Sequence, residues 1–133
     1  MSGGRAIHLD SSAIVKLAVA EPESAALRRF LSRRRPVVAS ALARAEVARA
    51  LLPLGEEAVR RGREVLARLE LIRISDRILA AAGELRPAEL RTLDANHLAT
   101  ARELGSDLAR VVTYDEGLRA AAVSTDLPVS APR

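Results

Sequence analysis

The sequence predicts an α/β fold built on a parallel sheet. Three observations carry this. Short apolar runs recur along the chain: AIHL at 6–9, PVVA at 36–39, LIRI at 71–74, RVVTY at 110–114 and a weaker LPVS at 127–130. Segments with helical spacing separate them, and alternating strand and helix signals imply parallel strands with crossover helices. Helix-breaking residues fall where these segments should end.

The elements follow in order. AIHL stops at Asp10, and helical patterns at 11–19 and 22–33 lead to the second run. Ser40 is placed to cap a helix over 41–52 that carries Glu46. Pro53 and Gly55 then separate that helix from one over 56–70. A helix over 76–84 follows LIRI. Pro87 suits the start of a helix over 88–104 and Gly105 its end. A helix over 115–123 precedes the last strand. The whole chain, 1–133, is expected to be one domain with its core at about 6–129.

Composition narrows the function classes. At 133 residues, 49% apolar and 29% charged, the chain can bury a substantial core. No apolar run approaches the roughly 18 residues of a membrane span, and the start MSGGRAIHLD lacks a secretory signal. A cytoplasmic location is therefore expected. Absent cysteines exclude disulfides and thiolate metal sites, and two histidines cannot make a His-rich one. A metal here would be a hard ion held by carboxylates, which favours Mg²⁺ or Mn²⁺. The net charge of +4 and pI near 10.8 suit an acidic partner such as nucleic acid, though ordinary solubility charge explains them equally. Phe30 and Tyr114 are the only aromatics, too few for a base-stacking platform.

Four acids stand out. Asp10 and Asp115 end apolar runs, and ligands of parallel α/β sheets bind beyond the carboxyl ends of strands. Either could simply cap the next helix. Glu46 lies on a helix that is apolar almost all round, where Arg49 is a possible partner. Asp94 shares an arc of about 140° with Leu90, Leu93, His97, Leu98, Ala101 and Leu104, while Asn96, Ala99, Arg102 and Glu103 point elsewhere. An acid on a face meant for burial needs a metal, a shifted pKa or a partner, and Arg91, Lys16 or His97 could serve. Together, four carboxylates meet the needs of metal-assisted phosphodiester hydrolysis. Spacing alone does not show that they converge.

Four blocks, HLDSSAIVKL (8–17), SALARAEVARAL (40–51), LRTLDANHLATARELG (90–105) and VVTYDEGLRAAA (111–122), resemble in order the signature blocks of the PIN-domain family, most closely its VapC-type toxic ribonucleases. The resemblance implies a three-layer α/β/α sandwich with a small, mostly parallel sheet. It implies that Asp10, Glu46, Asp94 and Asp115 line a Mg²⁺ or Mn²⁺ site and carry catalysis. Ser12 would position the Asp10 carboxylate or a metal-bound water, and Thr113 would support Asp115. Lys16 is a candidate for phosphate or RNA contact or for a carboxylate pair. Arg49 is a second candidate contact. His97 is expected to hold its helix through a hydrogen bond rather than to ligate metal. The arginines of RRFLSRRR (28–35) read as a solvated face before an RNA track.

The implied activity is that of a metal-dependent endoribonuclease, the toxin of a toxin–antitoxin pair, with RNA as substrate, a cognate antitoxin and a homodimeric state. Two alternatives remain: a PIN-fold interaction module without nuclease activity, and a non-nuclease metal-dependent phosphohydrolase. A phosphatase with a nucleophilic aspartate usually needs a second acid two residues on, where this chain has Ser12. No P-loop pattern occurs.

Overall fold

The computed structural model describes residues 4–133, so Ser2 and Gly3 of the slightly extended start lie outside it. The strands are β1 (Ala6–Leu9), β2 (Val37–Ser40), β3 (Glu70–Ile72), β4 (Leu108–Val112) and β5 (Val129–Ser130). They form one sheet, ordered β3-β2-β1-β4-β5, and every pairing is parallel. The helices are α1 (Ser11–Ala18), α2 (Ser24–Leu31), α3 (Ala43–Leu51), α4 (Glu56–Ala67), α5 (Asp76–Glu84), α6 (Thr92–Glu103) and α7 (Glu116–Ser124).

Alternation along β1 sorts the helices into two layers. Ile7 and Leu9 join a core with Ala13, Ile14, Leu27, Val47, Leu51 and Leu66, from α1 to α4. His8 points the other way, where its ring meets His97 of α6 edge-on. On that second face Leu98 of α6 packs with Ile78 of α5 and Leu118 of α7. The result is an α/β/α sandwich.

Several expected boundaries shift. Ser40 is the last residue of β2 and does not cap a helix from 41; its Oγ accepts from the Leu42 N–H at 3.1 Å, and α3 starts only at Ala43. Pro87 does not open α6, which starts at Thr92. It sits in a turn closed by the Leu90 N–H donating to its carbonyl at 3.0 Å. Gly105 does follow the end of α6, at φ +52°, a backbone region that glycine enters without steric cost. Pro53 and Gly55 separate α3 from α4 as expected, through a 3₁₀ turn at Leu52–Leu54.

The face assigned to α6 is also corrected. Leu93 is exposed, whereas Asn96 and Ala99 are buried. The helix packs on the sheet and also beside α5 and α7, so its buried surface exceeds one amphipathic stripe. Ala95, Ala99 and Ala101 let these neighbours approach.

Gly62 marks another close approach, between α3 and α4. A Cβ there would lie 2.5 Å from Leu51 Cδ1 and 3.3 Å from Val47 Cγ1. Alanine gains up to about 1 kcal/mol of helix propensity over glycine. Overpacking a filled core costs about 1–3 kcal/mol. Gly62→Ala is therefore expected to destabilise, read as a lower urea midpoint. A raised midpoint would mean that Leu51 turns aside freely.

Candidate active site

The site begins at the carboxyl edge of the two central strands. The register pairs Leu9 with Val112, so Asp10 and Thr113 leave the sheet side by side. Asp10 caps α1 by accepting from the Ala13 N–H at 3.0 Å, and Asp115 caps α7 by accepting from Leu118 at 2.9 Å. Both acids therefore satisfy helix N-termini as well as facing the sheet edge.

Asp10 is almost fully buried. Thr113 Oγ1 donates to its Oδ2 at 2.5 Å and Ser12 Oγ to its Oδ1 at 2.7 Å. Each hydroxyl also accepts a backbone N–H, Thr113 from Asp115 and Ser12 from Tyr114, both at 3.0 Å. Those acceptor roles aim the hydroxyl protons at Asp10. Burial pushes the Asp10 carboxyl above its usual range, against the opposing pull of the Thr113, Ser12 and Ala13 hydrogen bonds.

Glu46 has no bond to Arg49, which is exposed. Its Oε1 accepts from Ser11 Oγ at 2.6 Å and meets His97 Nε2 at 2.5 Å. Burial raises its pKa, but the hydrogen bonds from His97 and Ser11 and the charges of His97 and Arg91 win, leaving it below the usual range. Glu46 is thus held ionised. His97 does fix its helix through a hydrogen bond, and the partner is Glu46, not Asp94.

Asp94 is mostly covered, with 17% of its side chain exposed. Arg91 Nε lies 3.3 Å from its Oδ2, while Arg91 Nη2 reaches within 3.9 Å of Asp115 Oδ2. Of the three partners considered for Asp94, the structure selects Arg91. Lys16 is engaged elsewhere, 2.7 Å from Glu23 and 3.2 Å from Glu21, above the Tyr114 ring.

Hydrogen bonds and ion pairs thus connect Asp10 to Asp115 through Thr113, Asp115 to Asp94 through Arg91, and Glu46 to the first turn of α1 through Ser11. Among the described residues, no three Asp, Glu or His side chains converge closely enough to share an ion as they stand. The donor chemistry still suits a hard cation. Every acid offers oxygen, and two of them already share one positive group, the Arg91 guanidinium. Ser11 and the bridging role of Arg91 escaped the sequence reading. The second position of the Asp-Ser-Ser turn was the available signal for Ser11.

The arginine run lies elsewhere. Arg33, Arg34 and Arg35 precede β2, at the opposite edge of the sheet from the acids. Arg35 donates to the Leu31 carbonyl at 3.1 Å, and Arg34 stacks over Phe30, 4.1 Å from the ring centroid.

The fold thus brings two strand-end acids, Asp10 and Asp115, and two helix-borne acids, Glu46 and Asp94, to one edge of a parallel sheet. The model of the PIN domain matches residues 7–124, and the chain belongs to that family. It is 62% identical to Ribonuclease VapC46 of Mycobacterium tuberculosis, covering 96% of this chain and 98% of that one. Ribonuclease VapC35 of the same species is 41% identical, covering 95% and 96%. Among solved structures, M. tuberculosis VapC20, described as a sarcin-ricin loop cleaving toxin, superposes with a TM-score of 0.73 at 19% identity. It covers 86% of this chain and 94% of that one. A toxin–antitoxin complex from Klebsiella pneumoniae gives 0.72 at 22%, covering 96% and 98%. At such identities the structures speak for the fold.

Proposed function

We propose that the chain is a metal-dependent endoribonuclease, the toxin of a toxin–antitoxin pair. The observation that carries this reading is the acid quartet at one sheet edge, tied together by Ser11, Ser12, Thr113, His97 and Arg91. The 62% identity to a named ribonuclease supports it.

Asp10, Glu46, Asp94 and Asp115 would hold Mg²⁺ or Mn²⁺. When bound, such an ion activates water and offsets charge on the phosphate and the leaving oxygen. The chain's own groups prepare the site. Ser12 and Thr113 fix Asp10 in one orientation, and Ser11 with His97 keeps Glu46 ionised. Arg49 remains a candidate phosphate contact, being exposed and without an acid partner among the described residues. Lys16 is the weaker candidate, because Glu21 and Glu23 occupy it. An antitoxin, a homodimer and a cytoplasmic location belong to the same reading. Among the described residues, no helix is long and apolar enough to cross a membrane.

Incubation with small structured RNAs, with Mg²⁺ or Mn²⁺ and with EDTA, tests the proposal. Metal-dependent internal cleavage is expected. Intact RNA in every condition would favour the interaction module, and release of phosphate from monoesters alone would favour a phosphohydrolase.

With two aromatics in the chain, RNA affinity must come mainly from arginine and lysine on phosphate. Binding by an inactive variant is expected to fall with salt at a log–log slope of roughly −0.7 per phosphate contacted. Affinity that hardly moves between low and physiological salt would contradict this.

A further inference from the structure

We infer that Arg91 is the internal counter-ion of the acidic site, and that a divalent cation binds by exchange with its guanidinium. The inference rests on the metal-site reading above and adds the group that opposes metal entry.

The geometry is specific. Arg91 is the residue just before α6, in extended backbone at φ −68° and ψ 150°. From there its side chain reaches two of the acids. It lies 3.3 Å from Asp94 and 3.9 Å from Asp115, and its charge also helps hold Glu46 below the usual range. Three of the four acids therefore feel one guanidinium. Among the described residues no other lysine or arginine pairs with the quartet; the remaining contact of this kind is His97 on Glu46.

Arg91 is also built to leave. Its side chain is 78% exposed, against 17% for Asp94 and 37% for Asp115. Its contacts are long for charge-assisted hydrogen bonds, which run about 2.7–2.9 Å. A long, exposed side chain at a helix entrance can swing into solvent without disturbing the core. A buried carboxylate cannot. Clustered acids without a cation repel one another, and Arg91 relieves this in the metal-free protein. The same contacts must be given up when an ion takes Asp94 and Asp115, so they subtract from metal affinity.

The test compares Mn²⁺ binding to RNA-free wild type, Arg91→Gln and Arg91→Lys by titration calorimetry at low salt. Arg91 is exposed and its ion pairs are long, so their opposition to the metal is weak. Arg91→Gln is therefore expected to bind Mn²⁺ about two- to fivefold more tightly, with the gap narrowing as salt screens the pairs. Arg91→Lys, which keeps the charge, is expected to stay nearer wild type. Arg91→Gln binding Mn²⁺ equally or more weakly, with its fold confirmed by circular dichroism, overturns the inference. Wild type that neither takes up Mn²⁺ nor cleaves RNA overturns the underlying metal-site reading instead, so the two failures are separable.

Discussion

Asp10→Asn is expected to abolish nearly all RNA cleavage while leaving the protein folded. Loss of an outer-shell partner of a metal ligand already costs 10- to 100-fold. Removing a ligand carboxylate should therefore lower cleavage by at least about 100-fold. The fold should persist for local reasons. Asparagine is as good an N-cap as aspartate, so the Ala13 N–H keeps its acceptor. Ser12 shares Oδ1 with the Ala13 N–H and so keeps an oxygen to donate to, while Thr113 faces the amide nitrogen. Against that modest loss stands a gain. Burial opposes the ionised form of Asp10, and the amide carries no charge to desolvate. Without metal, the melting temperature should stay within a few degrees of wild type or rise. The measurement is cleavage in Mn²⁺ beside a melt in EDTA. A folded Asp10→Asn protein that retains wild-type cleavage would remove Asp10 from the site.

What the sequence could tell follows from the range of each interaction. The edge at Asp10 and Asp115 was readable because an apolar run followed by an acid is a local pattern. The two acids become neighbours through the β1–β4 pairing, which strand alternation implies without fixing its register. Glu46 was harder. Its partners Ser11 and His97 are 35 and 51 residues away, so local pattern offered only an arginine such as Arg49 as a possible partner. The four-block resemblance put Glu46 in the site without showing what orients it. The α6 face failed for another reason. An amphipathic arc assumes one buried side, whereas α6 packs against the sheet and two helices. Ala95 and Ala99 look neutral in a periodicity count but are core residues here. Arg91 is nonetheless legible in the sequence as one possible partner of Asp94, since residues three apart on or beside a helix turn are within reach. That Arg91 also reaches Asp115 needed the fold.

The wild type is expected to lose stability on acidification well before its carboxylates account for it, because of His8. This residue sits in β1, between β2 and β4, and is fully buried. Among the described residues neither ring nitrogen has a hydrogen-bond partner, and the His97 ring lies edge-on with centroids 6.2 Å apart. Burial, with His97 adding to it, pushes the His8 pKa down to about 3. The native state therefore holds His8 neutral, while the unfolded chain protonates it near the ordinary 6.5. Between these values the unfolded state binds more protons, so stability is fully present above about pH 6.5 and is lost as pH falls toward 3. At 1.36 kcal/mol per unit, the loss by pH 4 is about 3 kcal/mol, a large share of the 5–15 kcal/mol typical of a domain. Glu46 acts in the same direction, but only as pH falls below its ordinary 4.5, since its folded pKa is lowered. Asp10 opposes both, because its raised pKa makes protonation favour the folded state. His8→Leu isolates the histidine. It removes the titrating ring and gives up no hydrogen bond, so its cost at pH 7 should be under about 1.5 kcal/mol. Urea unfolding of both proteins in EDTA, from pH 7 to pH 4, should show wild type losing about 3 kcal/mol more than the variant. Parallel curves would mean that His8 gains a proton as readily in the folded protein as in the unfolded chain. Its burial beside His97 would then impose no such penalty.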